Sequence, residues 1–312
     1  MSPNSLPPSG TRMGARARLA ALATLAIGLA YSSAGLAFCR TTTCDTCTVA
    51  PGECVSEGIP LSWPVSCINY AIQKDASKRA GYDEVSAAAD AAFQSWRNVT
   101  CSTGVTPALE FLNLGPVECA RHEYNDQSKS FGGNANVIIF HDDGGDVAAM
   151  DQQLAITTVT FNVNTGEIYD ADIEVDSSKP ISTSTPVPAL QYDLQSILTH
   201  EVGHFLGMAH SNVPCAGGPD CATMDAVYRT GSDDFRTLEA DDIAGICTIY
   251  PTGRAAIDNA CAPRHGFSGE CGVPSRKGCC TTAPGGASTG GGEAAFAMIL
   301  GVGLWVARGR RT

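Results

Sequence analysis

The residues most able to do chemistry lie close together in HEVGHFLGMAH, residues 200–210, which holds three of the chain's six histidines. On a helix of 3.6 residues per turn, His200 and His204 sit one turn apart and project side by side, close enough to share one metal ion. Gly207 lets the chain leave the helix with a positive φ, so that His210 can swing round as a third ligand. Three neutral imidazoles leave a fourth tetrahedral position for water, the mark of a catalytic zinc site rather than a closed structural one. Glu201, beside the first ligand, is placed to take a proton from water whose pKa zinc lowers toward about 7. Chance occurrence of this spacing is expected on the order of 10⁻⁵ times in such a chain, so accident explains it poorly.

The elements that must hold these residues can be read around them. PALQYDLQSILTHEVGHFLG is predicted to be helical, starting near Pro188 and ending at Gly207, with Leu194, Ile197, Leu198, Val202, Phe205 and Leu206 on a wide apolar face. Upstream, residues 63–73 read as a strand, with Ile68, Tyr70 and Ile72 alternating against Asn69, Ala71 and Gln73. DEVSAAADAAFQSWRNV follows as a helix capped by Asp83, with Val85, Ala89, Phe93 and Trp96 along one face. ALEFLNL, ANVIIFHD, LAITTVTFN and IYDADIEVD read as further strands. The apolar run Val137 to Phe140 suits a central position, and VNTGE suits a turn between the last two.

With these residues in place, the chain resembles the metzincin metallopeptidases, and most closely their matrixin branch. The likeness rests on His200, Glu201, His204, Gly207 and His210, on ATMDA at 222–226, and on LEADDIAGICTIYP at 238–251. The resemblance implies an α/β (α+β) zincin fold: a twisted, mixed five-stranded sheet over the active-site helix, then a small C-terminal subdomain with a Met-turn and a final helix. Met224 would form an apolar floor beneath the zinc ligands. LAITTVTF would be the edge strand along which an extended peptide or protein substrate lies, an ordinary interior strand being the alternative. The activity implied is zinc metalloendopeptidase. A catalytically silent, zinc-binding surface adhesin on the same scaffold is the runner-up, and the intact Glu201 separates the two on paper. Tyr228 stands four residues after Met224, which suits packing better than assistance at an oxyanion.

Two acidic stretches, HDDGGD at 141–146 and DADIEVD at 170–176, offer oxygen ligands for structural calcium. In the second, Asp170, Asp172, Glu174 and Asp176 share one strand face, a crowding of like charge that needs solvent or a cation. The candidate calcium residues are Asp170, Asp172 and Glu174. The propeptide cysteine motif of matrixins is absent before the catalytic region, and ECGVPS around Cys271 is read as coincidence.

The remainder of the chain sets the context. Lys+Arg 20 against Asp+Glu 32 gives −12, which argues against nucleic acid or an anionic membrane surface as partner. Arg12, Arg16 and Arg18 precede an apolar run and small residues, so 1–37 is read as a secretory signal. Export makes disulfides the expected state of the 14 cysteines, with Cys215 to Cys221 the most local pair. The iron–sulfur-like spacing of Cys39, Cys44, Cys47 and Cys54 is discounted for the same reason. The expected organisation is a Cys-rich segment at 38–58, a catalytic domain at 59–252, a Cys-rich segment at 253–281, and a tail at 282–312. That tail reads as a flexible linker, a short hydrophobic helix and a basic end, resembling a myxobacterial-type C-terminal sorting tail. It would be the only membrane contact of a monomeric bacterial protein exported to the cell surface or beyond.

Overall fold

A computed structural model describes residues 38–44, 46–50, 52–122, 124, 134–144, 153–213, 215, 220–254, 261–262 and 267–269, together with the backbone of 295–303. The expected signal segment, Cys271, Cys279 and Cys280, the flexible linker and the basic end lie outside the described residues.

After β1 (Cys39–Arg40), the sheet is laid down by β2 (Cys67–Gln73), β3 (Glu110–Val117), β4 (Val137–Phe140), β5 (Gln153–Asn162) and β6 (Ile168–Val175). Their order is β5-β6-β4-β2-β3, with β5 antiparallel to β6 and the other pairs parallel. All four residues of β4 are buried, as a strand covered on both faces requires. The turn between β5 and β6 uses Gly166 at φ +73°, where a side chain would be strained.

These five strands form the expected mixed sheet, and a sixth strand adds to its β5 edge. β10 (Ala295–Gly303) pairs antiparallel with β5 over nearly its whole length, from Ala295 opposite Asn162 to Gly303 opposite Gln153. Two expectations are corrected here. The tail's apolar run is extended rather than helical, and β5 carries a neighbour on the side expected to be free. Among the described residues, no helix is long and apolar enough to cross a membrane.

The main core lies between the sheet and two helices, α1 (Tyr82–Arg97) and α2 (Leu194–Phe205). Tyr70 from β2 stacks on Phe93 of α1 at 3.9 Å, and Phe93 meets Phe205 of α2 edge-on at 5.3 Å. Trp96 donates its indole N–H to the Thr199 carbonyl at 2.7 Å, which ties the two helices where both are buried. Gly81, not Asp83, caps α1, and Glu84 reaches back to the Gly81 N–H at 3.1 Å. α2 begins six residues later than Pro188 suggested. Residues 188–191 turn, Tyr192–Asp193 forms the short strand β8 beside β7 (Ile181–Ser182), and Asp193 caps the helix through the Ser196 N–H at 2.8 Å. Arg236 holds both oxygens of this buried carboxylate, so the cap is itself fixed from the C-terminal part of the chain.

β9 (Met208–Ala209) follows α2, and α3 (Ala240–Ile249) closes the described domain. Disulfides join Cys39 to Cys54, Cys44 to Cys47, Cys67 to Cys261, Cys101 to Cys247 and, as expected, Cys215 to Cys221. The pairing of the first four cysteines leaves no thiolates for a cluster, in line with the reading from export. Cys101 to Cys247 anchors α3 to the loop after α1.

Candidate active site

The last two turns of α2 carry His200, Glu201 and His204, all buried. Leu206 ends the helix and Gly207, at φ +91°, turns the chain so that His210 returns to the same spot. His204 Nε2 lies 3.1 Å from His200 Nε2 and 3.2 Å from His210 Nε2. Each outer nitrogen that is bonded is a donor: His200 Nδ1 to the Thr223 carbonyl at 2.6 Å, and His204 Nδ1 to the Met208 carbonyl at 2.9 Å. That fixes the tautomer, so the inward Nε2 atoms of these two rings carry lone pairs.

Burial is the main cause holding all three imidazoles neutral, with mutual repulsion adding at His200 and His204. His200 is pushed well down, His204 to about 3 and His210 to about 4. Lone pairs turned toward one another across 3.1–3.2 Å repel unless a cation sits between them. A tetrahedral zinc with bonds of 2.0–2.1 Å would set its ligand nitrogens about 3.3 Å apart, so the arrangement fits that ion.

Glu201 has its Oε2 held by the Thr157 hydroxyl of β5 at 2.6 Å, while its buried Oε1 has no hydrogen-bond partner. Burial drives this carboxyl up to about 8, against the lowering effect of the Thr157 bond. One oxygen is therefore held by the protein and the other is not. Neither Thr157 nor its bond was foreseen, because the contact joins residues 44 apart in the chain.

Met224 lies against the helix that carries His200 and His204. It is buried, and a Cβ placed on Gly203 would lie 2.2 Å from its sulfur and 2.8 Å from Trp96. Asp242 of α3 accepts the Thr223 and Met224 N–H groups at 2.7 and 3.1 Å, so α3 fixes the turn whose Thr223 carbonyl orients His200. Sequence reading placed Asp242 in the final helix without giving it this task. Tyr228 is buried, its hydroxyl donating to the Ser196 and Ile197 carbonyls at 3.1 and 3.2 Å, as packing rather than chemistry requires. Beside it lies a small hollow of about 20 Å³, room for little more than one water, lined by Ser196 of α2 and by Cys221, Tyr228, Arg229, Asp234 and Phe235 from the chain between His210 and α3.

The acids considered for calcium lie elsewhere, on β6, and a solvated strand face is not what the structure has. Asp170, Asp172, Glu174 and Asp176 are each at most 3% exposed. Burial raises Asp170 to about 8, with a bond to Asp172 opposing it, and Asp172 accepts the Val137 N–H at 2.8 Å. Glu174 is gripped by His122 Nδ1 at 2.7 Å and His141 Nε2 at 2.9 Å. Protein donors thus answer the crowding of charge that sequence reading assigned to solvent or a cation. Among the described residues, every other cluster of potential metal ligands is built on disulfide-bonded cysteines.

Comparison with known proteins bears on the same residues. The family model described as "Peptidase_M10: Matrixin" matches residues 62–251. Metalloendoproteinase 4-MMP of Arabidopsis thaliana is 27% identical over 115 residues, 36% of this chain and 30% of that protein. Matrix metalloproteinase-16 of Homo sapiens is 27% identical over 188 residues, 60% of this chain and 27% of that protein, and the Mus musculus protein of that name gives the same figures. The match thus spans less than a third of the length of these relatives.

Proposed function

Because the chain belongs to the matrixin family, we propose that it is an exported zinc endopeptidase that hydrolyses peptide bonds in extended protein substrates at the cell surface or outside the cell. The observation that carries this reading is the convergence of three imidazoles, with His204 Nε2 3.1 Å from that of His200 and 3.2 Å from that of His210, beside a helix that also carries a buried carboxylate with one unpartnered oxygen.

His200, His204 and His210 would hold the metal. When bound, zinc supplies Lewis acidity to the scissile carbonyl and makes water more acidic. The protein's own part is proton transfer and positioning. Glu201 Oε1 takes the proton of the attacking water, while Thr157 keeps Oε2 from turning away. As the carbon–nitrogen bond breaks, Glu201 delivers that proton to the leaving amine, so no serine or cysteine nucleophile is needed. The substrate chain would pair with β5 in place of β10. Calcium at Asp170, Asp172 and Glu174 is not part of this reading, since these side chains have protein partners.

The test is zinc content and cleavage of an unstructured protein by the purified full chain, beside Glu201→Gln. Both forms are expected to hold one zinc, with cleavage reduced by about 10²–10⁴ in the variant. Stoichiometric zinc without cleavage by either form would instead support the silent zinc-binding adhesin.

A further inference from the structure

The active-site helix ends in carbonyls that have no partner within the helix, and the protein must supply donors from elsewhere. It does so for four consecutive residues. Trp63 Nε1 donates to the Phe205 carbonyl at 2.8 Å and the Tyr250 hydroxyl to Leu206 at 2.9 Å. The next two carbonyls are both taken by one residue. The Thr41 N–H donates to Gly207 at 3.0 Å, and the Thr41 hydroxyl donates to Met208 at 2.9 Å. Met208 is also the carbonyl that His204 Nδ1 grips at 2.9 Å, so both its lone pairs are used, one by the ligand ring and one by Thr41.

Thr41 is itself buried and held from several sides. β1 pairs antiparallel with β9, Cys39 opposite Ala209 and Arg40 opposite Met208, and the Cys39–Cys54 disulfide closes the segment on itself. The Thr41 carbonyl accepts the Leu61 N–H at 2.8 Å. The chain at Leu61, held by that bond, runs so near the helix exit that a Cβ on Gly207 would lie 2.6 Å from the Leu61 carbonyl. Farther along, Phe38 and Met208 both press on Gly245 of α3, where a Cβ would come within 3.0 and 2.5 Å of them. Two residues after Met208 stands His210.

We propose that Thr41, directly after the N-terminal strand β1 and outside the family-matched segment, is a positioning residue of the metal centre: through the Gly207 and Met208 carbonyls it fixes the ring of His204 and the approach of His210. The inference rests on reading that centre as a zinc site. Its physical content is pre-organisation, since outer partners of metal ligands set ring orientation and therefore affinity. It also gives the cysteine-bounded segment 38–58 a task, namely to hold the path from His204 to His210 in the shape the ion requires.

The experiment uses the full chain with Thr41→Val, which keeps the β-branched shape and loses the hydroxyl, and Thr41→Ser, which keeps the hydroxyl. Zinc dissociation constants are measured by chelator competition, alongside urea midpoints of the metal-free proteins. Thr41→Val is expected to weaken zinc binding about fivefold, the size of one neutral hydrogen bond, with Thr41→Ser within about twofold of the parent. Equal affinity in all three, or a loss of metal-free stability in Thr41→Val with zinc affinity intact, overturns the inference and leaves the peptidase reading standing. A parent chain that binds no zinc overturns the metal-site reading itself, and this inference with it.

Discussion

Gly203 lies between His200 and His204 on α2, and its lack of a side chain is what lets Met224 seat against the helix there. In Gly203→Ala the new methyl would meet Met224 Sδ at 2.2 Å, Trp96 Cζ2 at 2.8 Å and Met224 Cε at 3.1 Å. Two effects oppose each other. Alanine gains about 1 kcal/mol over glycine in a helix interior, whereas forcing a methyl into a packed core costs about 1–3 kcal/mol. Carbon and sulfur need well over 3 Å, so Met224 must move by more than 1 Å although both it and Trp96 are at most 1% exposed. A displacement that large puts the cost toward the upper end of its range, about 2–3 kcal/mol, so the overlap wins and a net destabilisation of about 1–2 kcal/mol is expected. Met224 leads back to Thr223, whose carbonyl orients His200, so zinc affinity should fall as well. The assay is urea unfolding followed by tryptophan fluorescence, for Gly203→Ala, Met224→Ala and the double variant. In the double variant the obstructing side chain is gone and the helix gain remains. The two changes should then be less harmful together than their sum, by about 1–3 kcal/mol. A single Gly203→Ala variant as stable as the parent, or strict additivity in the double variant, would refute the reasoning.

Other outcomes follow from the same geometry. Asp242→Ala removes the acceptor for the Thr223 and Met224 N–H groups, and should weaken zinc by about 10-fold or more, read by chelator competition. The clamp of His122 and His141 on Glu174 predicts a pH window. The hydrogen bonds to Glu174 raise both histidines above 6.5, so their contribution is complete below that pH and fades as pH rises through the raised values. Glu174, lowered to about 2 by the same partners against the opposing effect of burial, contributes fully above 4.5 and loses its share as pH falls toward 2. The urea-midpoint gap between parent and Glu174→Gln should accordingly be widest between 4.5 and 6.5, and a gap that grows above pH 8 would contradict this. Finally, β10 lies on the β5 edge that an extended substrate would use, so Met298→Pro with Leu300→Pro should raise cleavage of an unstructured protein by the full chain. Unchanged rates would show that β10 does not compete there.

Local spacing made the heart of the site legible. His200 and His204 had to be neighbours once the segment was helical, and Gly207 had to be where the chain turned, because helix period and positive φ are properties of a few adjacent residues. The same holds for Val137 to Phe140 as an inner strand, and for Cys215 to Cys221, whose closure spans only six positions. Where sequence reading slipped, a distant partner had changed the local preference. Pro188 suggested the start of α2, but residues 188–191 turn, Tyr192 and Asp193 pair with β7, and Arg236 stabilises Asp193 as the cap. The acids of β6 looked like a solvated face, and His122, His141 and the Val137 N–H, far away in sequence, answer their charge in the interior.

The sequence by itself therefore determined which side chains could bind a metal and which carboxylate could move a proton, since those follow from residue type and short spacing. Only the tertiary structure decided what holds them ready: Thr223 and Met208 on the outer nitrogens, Thr157 on Glu201, Asp242 under the Met-turn, and Thr41 at the helix exit. These contacts join residues from 4 to 167 positions apart, and most form only after sheet and helices have packed. A hydrogen bond satisfies a buried polar group equally well from any part of the chain, so its origin leaves no mark in the spacing of the motif it serves.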